Sequence, residues 1–116
     1  TLESEENRLF NIADEKFKIV HGDGCNTSFE SDSFDFILCL QVLEHVFDPL
    51  KMICEIKRIL KPSGYAVFLI PQTATLHLAP NHYYNFTKYW IREAMNKAGL
   101  KIVEYKPIGG FWTTIA

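Results

Sequence analysis

The sequence predicts an α/β fold in which parallel strands are joined by helices. The first observation is that residues 34–40 and 65–70 are almost entirely apolar, as strands covered on both faces are. The second is that amphipathic stretches of about three helical turns follow each of these runs. Such alternation implies right-handed crossovers and a layered sheet whose carboxyl edge binds ligands.

The first predicted elements are a short helix in residues 1–15 and a strand at residues 17–20. Apolar residues are interspersed among polar ones in the helix, whereas Phe17, Ile19 and Val20 form a short apolar run. The polar stretch 22–33 predicts a loop, because Asp, Gly, Asn, Thr and Ser favour turns.

The strand at residues 34–40 is followed by a helix that begins at Asp48-Pro49. Asp48 can accept from the first free amides, and Pro49 at the first helical position loses no needed donor. The turn at residues 61–64 is expected to end this helix. Its apolar stripe comprises Leu50, Ile53, Ile56, Ile59 and Leu60. Its predicted solvated face comprises Lys51, Glu55, Lys57 and Arg58.

The last third of the chain predicts one more helix and one more strand. Pro71 stops the second apolar strand, and residues 72–86 form a long loop rich in His, Asn and aromatic residues. Thr87 can cap the next helix, and Gly99 suits its left-handed stop. Residues 100–105 are expected to form the following strand.

Composition bounds the function of this single domain, which covers residues 1–116. A net charge of −2 with scattered basic residues favours neither nucleic acid nor an anionic membrane surface. No apolar run reaches the roughly 18 residues that a membrane span needs, and no signal peptide is visible. The three cysteines form no CxxC pair, which predicts a cytoplasmic setting without disulfides or a zinc site.

A combination of motifs resembles one large enzyme family. Leu43-Glu44-His45-Val46, Asp48-Pro49 and Lys61-Pro62-Ser63-Gly64 together resemble the central block of the Rossmann-like S-adenosylmethionine-dependent methyltransferases. The segment 21–24 resembles the end of that family's third strand, and residues 84–100 resemble its C-terminal helix and strand. The resemblance covers roughly residues 17–110 and implies a partial Rossmann-like sheet with flanking helices.

The resemblance also implies a cofactor site for S-adenosylmethionine and a small-molecule or glycan-type methyl acceptor. Asp23 would accept from the adenine amino group, with backbone amides of Gly24 and Cys25 directed at the ring. The sugar and methionine portions of the cofactor would be lined by the residues just after the next strand, which are Leu40, Gln41 and Val42. His45 would face the acceptor as a candidate general base.

The family's glycine-rich first loop, and the acid that holds the ribose, have no counterpart in this sequence. We therefore expect additional sequence upstream of Thr1, a homodimer formed through the exposed edge of strand 34–40, or a missing region that is disordered. An alternative to an active enzyme is a non-catalytic, methyltransferase-like domain that binds or self-associates. A nicotinamide-dependent dehydrogenase is a third alternative, but the acid it needs after a second strand is not visible.

Each functional assignment has a structural alternative. Asp23 could be only a turn residue, and His45 could fill space beside a helix or bond to backbone. The loop residues His77, His82, Tyr83 and Tyr84 could line an acceptor pocket or pack as a lid on the core. No metal site is predicted, because the four histidines do not fall at ligand spacing with any cysteine.

Overall fold

The computed structural model describes residues 18–108 and 113–115. Strand β1 spans Phe34–Leu40, and a 3₁₀ turn spans Leu43–His45. Helix α1 spans Pro49–Ile59 and strand β2 spans Leu60–Pro71. Helix α2 spans Lys88–Ala98, followed by the short strands β3, Lys106–Ile108, and β4, Thr113–Ile115. The α/β class predicted from the sequence is confirmed.

The described strands form one mixed sheet in the order β1-β2-β4-β3. β1 and β2 are parallel, with Ile37 opposite Ala66 and Leu40 opposite Leu69, whereas β4 runs antiparallel to both of its neighbours. A parallel pair needs a crossover, and the 3₁₀ turn with α1 provides it. β1 therefore lies at the edge of the described sheet.

Both helices begin as their sequences predict, and α2 also ends as predicted. The Asp48 side chain accepts from the Lys51 amide at the start of α1, and Pro49 occupies the first turn. The Thr87 side chain accepts from the Trp90 amide at the start of α2. Gly99 ends α2 with φ at 80°, a left-handed conformation that favours glycine.

The core lies between one face of the sheet and the two helices. Cys39, Phe68 and Ile70 project from the strands, and Ile53 of α1 and Ile91 of α2 pack against them with at most 3% of each side chain exposed. The opposite face of β1 is open in the described part of the chain, since Phe36, Leu38 and Leu40 are 49–58% exposed. The expectation that this strand is covered on both faces is therefore wrong for the described residues, because both helices pack on the same face.

Two predicted strands also need correction. Residues 18–20 form no strand, since no described strand lies beside them, and Phe17 falls outside the described residues. The predicted strand at residues 100–105 is absent, although Leu100 and Ile102 still pack against the core. The helix predicted for residues 1–15 also lies outside the described residues.

The turn predicted at residues 61–64 is instead part of β2. In the pairing of β2 with β1, Leu60 lies opposite Phe34, and the next paired residue of β2 is Tyr65, opposite Phe36. Residues 61–64 are therefore left out of the register. A Cβ on Gly64 would lie 2.8 Å from the backbone oxygen of Asp35 and from Leu60 Cδ1. Only glycine allows the two strands to approach this closely at the irregularity.

Candidate functional site

The loop that carries Asp23 is a tight turn held by its own carboxylate. The Cys25 amide donates to Asp23 Oδ1 at 2.9 Å, and the Asn26 amide donates to the Asp23 carbonyl at 3.0 Å. Asp23 is exposed, and Gly24 and Cys25 are half-buried. The Asp side chain therefore shapes the turn and still reaches solvent.

This loop packs against the first turns of α1. The Cys25 thiol lies 3.7 Å from the Asp48 carbonyl, and a Cβ on Gly24 would lie 2.8 Å from Met52 Cε. Burial, followed by the nearby Asp23 and Asp48 carboxylates, raises the pKa of the Cys25 thiol. Cys25 is therefore held as a neutral thiol and is not an activated nucleophile.

A charged network fixes the remainder of the loop to the same helix. Glu55 accepts from the amide and the hydroxyl of Thr27 at 2.9 and 2.6 Å, and from Arg58 Nε at 2.8 Å. Arg58 also donates to the Phe29 carbonyl at 2.7 Å. The hydrogen bond from Arg58 is the main cause that lowers the pKa of Glu55 to about 2. The expectation that Glu55 lies on a solvated face is wrong, because this network buries it to 9% exposure.

The second predicted group, Leu40, Gln41 and Val42, links β1 to the 3₁₀ turn. The Gln41 amide donates to the Leu69 carbonyl at 2.8 Å, and Gln41 has φ of 53°, which is unusual for a residue other than glycine. All three residues are exposed, with Leu40 at 49% and Val42 at 37%. A strained backbone at the carboxyl end of a strand is often found at a binding site.

The two predicted groups, the Asp23 turn and Leu40–Val42, are connected through the segment that ends at Asp48. Cys25 contacts the Asp48 carbonyl, and Asp48 follows the 3₁₀ turn that begins just after Val42. The Leu40–Val42 group therefore begins the segment that runs from β1 to α1, and the Asp23 turn contacts the end of that segment through Cys25. Within the described residues they share no direct hydrogen bond.

The loop 72–86 closes over the 3₁₀ turn. The Tyr83 amide donates to the Glu44 carbonyl at 2.8 Å, and the Tyr84 hydroxyl donates to the Phe47 carbonyl at 2.9 Å. His45 Nδ1 lies 2.7 Å from the Asn81 carbonyl. These bonds favour the lid interpretation of the loop, and they bring the predicted His45 together with loop histidines.

A separate cavity lies away from these residues. It has a volume of about 620 Å³ and lies between the first half of β2 and residues 99–104. None of the predicted cofactor residues lines it. The cavity therefore carries no argument for the cofactor.

Sequence reasoning missed the side chain of Glu44, which is only 1% exposed. Glu44 belongs to the Leu43-Glu44-His45-Val46 motif, but an acidic side chain is expected to be exposed, so the sequence gives no signal of its burial. Nearby, burial and the Glu44 carboxylate raise the pKa of the Cys39 thiol to about 11. The Glu44 carboxylate therefore lies inside the fold, near the end of β1.

The fold and the site define a class of protein. A methyltransferase domain model matches residues 3–68, which is more than half of the chain. The chain therefore belongs to the methyltransferase domain family, of the Rossmann-like S-adenosylmethionine-dependent class. The resemblance seen in the sequence is confirmed.

Curated relatives include demethylmenaquinone methyltransferases. Those of Staphylococcus epidermidis and of Staphylococcus aureus are each 36% identical over 75 residues, which is 65% of this chain. The chain spans about a third of their length, since the match covers 31% of each relative.

Solved structures show the same fold. The Burkholderia thailandensis 1,6-didemethyltoxoflavin-N1-methyltransferase, with its substrate and S-adenosylhomocysteine bound, superposes with a TM-score of 0.77 at 17% identity. That match covers 96% of this chain and 54% of the other. A SAM-dependent methyltransferase of Aquifex aeolicus gives 0.67 at 15% identity, covering 97% and 60%. In the described part of this chain, neither helix is long and apolar enough to cross a membrane.

Proposed function

We propose that this chain forms the adenosine-binding part of an S-adenosylmethionine-dependent methyltransferase that acts on a small-molecule acceptor. The observation that supports the proposal is that the Leu40–Val42 link begins the segment joining β1 to α1, while the Asp23 turn contacts the end of the same segment through Cys25 and Asp48. In open α/β sheets, ligands bind outside the carboxyl ends of the strands. Family membership makes the adenosyl group the ligand to test first.

Asp23 is proposed to exchange one hydrogen bond for another when the cofactor binds. Its Oδ1 holds the Cys25 amide at 2.9 Å in the structure described here. If the carboxylate turns to accept from the adenine amino group, the Cys25 and Gly24 amides become donors for a ring nitrogen. Two backbone donors and one carboxylate would then match the edge of adenine.

Leu40, Gln41 and Val42 are proposed to bound the ribose and methionine portions. The exposed side chains of Leu40 and Val42 offer apolar surface that a ligand could cover. The left-handed φ of Gln41 directs the chain out of the sheet at the point where the cofactor would pass. Strain of this kind is consistent with a binding role.

The reaction would be an in-line displacement at the methyl carbon. The acceptor atom attacks the methyl group, the carbon–sulfur bond breaks, and the sulfonium becomes the neutral thioether of S-adenosylhomocysteine. The protein chiefly supplies alignment and a dry pocket. His45 stays a predicted base: with Nδ1 bonded to Asn81, it would take the acceptor's proton at Nε2.

The acceptor is proposed only as a broad class. The names of the relatives specify a demethylmenaquinone and a didemethyltoxoflavin, both small molecules. A small-molecule acceptor is therefore favoured over a glycan-type one, and a cytoplasmic location stays a prediction.

Calorimetric titration with S-adenosylmethionine and S-adenosylhomocysteine tests the proposal. We expect saturable binding by the wild-type chain and a loss of about 1–3 kcal/mol in Asp23→Ala. Asp23→Asn is the matched control, because its amide oxygen can still accept from Cys25 and preserve the turn. A folded chain that binds neither ligand, or an Asp23→Ala variant with unchanged affinity, would contradict the proposal.

A second candidate function is self-association without catalysis. It is favoured by the exposed apolar residues Phe36, Leu38 and Leu40 on an edge strand of the described sheet. Such an edge can pair with a second copy of the chain. Sedimentation of the chain distinguishes the candidates: a stable dimer without cofactor binding supports self-association, and a cofactor-binding monomer excludes it.

A further inference from the structure

Glu44, His45 and His77 bring three potential metal-ligand atoms together in the described part of the chain. One oxygen of Glu44 and one ring nitrogen of each histidine all lie within 4.8 Å of one another. Glu44 and His45 belong to the 3₁₀ turn, and His77 comes from the loop 72–86 that closes over it. Because His77 is distant in sequence, the spacing of residues alone could not reveal this cluster.

Backbone carbonyls fix the tautomers of both imidazoles. His45 Nδ1 lies 2.7 Å from the Asn81 carbonyl, and His77 Nδ1 lies 2.8 Å from the Thr75 carbonyl. A carbonyl oxygen only accepts, so each Nδ1 must carry its hydrogen. In the neutral rings both Nε2 atoms then present lone pairs, and these atoms are 3.1 Å apart. Two facing lone pairs at this distance repel each other unless a proton or a metal ion lies between them.

The Glu44 carboxylate supplies negative charge beside this pair. Its side chain is 1% exposed, and neither of its oxygens has a hydrogen-bond partner among the described residues. Oε1 lies 3.7 Å from His45 Nε2. A buried carboxylate without hydrogen bonds is costly unless it is paired or coordinates a metal. One bound cation would therefore satisfy all three side chains.

We propose that Glu44 Oε1, His45 Nε2 and His77 Nε2 bind a divalent transition-metal ion, with Zn²⁺ as the best match. Two imidazoles and one carboxylate form a donor set that zinc accepts. Ligand atoms about 2.0–2.1 Å from a tetrahedral ion lie about 3.3 Å apart. The observed separations of 3.1 and 3.7 Å bracket that value. The third separation, between Glu44 and His77, is at most 4.8 Å.

The groups around the ligands resemble those that support metal sites. Each ligating histidine donates its other ring hydrogen to a backbone carbonyl, which orients the ring. The His77 amide donates a 3.3 Å hydrogen bond to His82 Nδ1, which holds the backbone of His77 in place. His82 Nε2 in turn lies 3.2 Å from the Tyr84 carbonyl, which leaves Nδ1 as the acceptor. His82 is thus a positioning residue.

Three protein ligands leave one position of a tetrahedral ion open. A water molecule could fill it, or an oxygen of the methyl acceptor, and the second use rests on the proposed function. A metal ion lowers the pKa of a hydroxyl bound to it. The ion would then replace His45 as the means of activating the acceptor, since it occupies the same Nε2.

Metal binding by the chelator-treated full chain tests the proposal without any methyl-transfer assay. Equilibrium dialysis with Zn²⁺ should give one ion per chain. Co²⁺ in its place should give visible d–d absorption without a thiolate charge-transfer band. His77→Gln and Glu44→Gln should each weaken Zn²⁺ binding at least about tenfold. Circular dichroism verifies that each variant is folded, and His77→Gln changes a residue that lies outside the helices and strands.

Two control variants separate this site from adventitious binding. His21→Gln removes a histidine outside the cluster, and Cys54→Ser removes an exposed thiol. Both should bind Zn²⁺ as the wild type does. The proposal is overturned if the folded chain binds neither metal, if His77→Gln binds as tightly as wild type, or if binding depends on Cys54. None of these outcomes affects the cofactor titration, so the two proposals fail independently.

Discussion

Replacing Glu55 by Gln is expected to destabilise the domain by about 1–2 kcal/mol at pH 7. Glu55 accepts two hydrogen bonds from Thr27 and two from Arg58, so it joins the loop 22–33 to α1. The difference between its usual pKa of 4.5 and about 2 corresponds to at most about 3.4 kcal/mol. A loss of about 1–2 kcal/mol is expected instead, because Arg58 is 38% exposed and water screens its charge.

The stability that Glu55 contributes should depend on pH in a defined direction. Its pKa is lower in the folded than in the unfolded chain, so the contribution is complete above about pH 4.5 and is lost as the pH falls towards 2. The Gln variant has no such titration. The difference in unfolding free energy between wild type and Glu55→Gln should therefore shrink to roughly half or less by pH 3.

Urea unfolding followed by circular dichroism at pH 7 and pH 3 measures this difference. Glu93→Gln is the matched control, because Glu93 is an exposed glutamate on α2 and should change stability by less than about 0.5 kcal/mol. Equal stability of wild type and Glu55→Gln at pH 7 would refute the reasoning. A difference that does not change between the two pH values would also refute it.

Three further predictions concern packing, capping and assembly. Ile53→Ala should cost about 3–4 kcal/mol in urea unfolding, because Ile53 is fully buried, whereas Leu76→Ala at a 75% exposed position should cost little; similar losses would contradict the core assignment. Asp48→Ala should cost about 1 kcal/mol through the lost cap of α1, and an unchanged unfolding midpoint would argue against that cap. Leu38→Lys should reduce any self-association seen in sedimentation, and a dimer that persists in this variant does not form through β1.

Local signals in the sequence were enough to predict the class of fold and both helices. Asp48-Pro49 and Thr87 act within a few residues of their own position, as does Gly99, so their effects do not depend on the rest of the chain. Strand boundaries depend on neighbours. Residues 18–20 and 100–105 carry an apolar pattern, but no described strand pairs with them. An apolar pattern does not show whether a neighbouring strand is present to pair with the segment.

The candidate site was predictable only in part, for the same reason. Resemblance predicts Asp23 and Leu40–Val42 as cofactor residues, and this stays a prediction, although Cys25 beside Asp23 contacts the segment before α1. The burial of Glu44 and the contact between His45 and His77 arise from the way one loop folds over a 3₁₀ turn. Contacts between residues this far apart in sequence produce no periodic pattern that could predict them. Composition favoured a solvated Glu55, whereas the structure buries it.

The central claim is that an adenosyl group binds between the Asp23 turn and the end of β1. Titration of the ¹⁵N-labelled chain with S-adenosylhomocysteine, followed by two-dimensional amide spectra, locates the ligand directly. We expect saturable shifts concentrated at the amides of residues 23–25 and 40–42. A folded chain whose spectrum stays unchanged at millimolar ligand, or whose shifts fall elsewhere, would contradict the account.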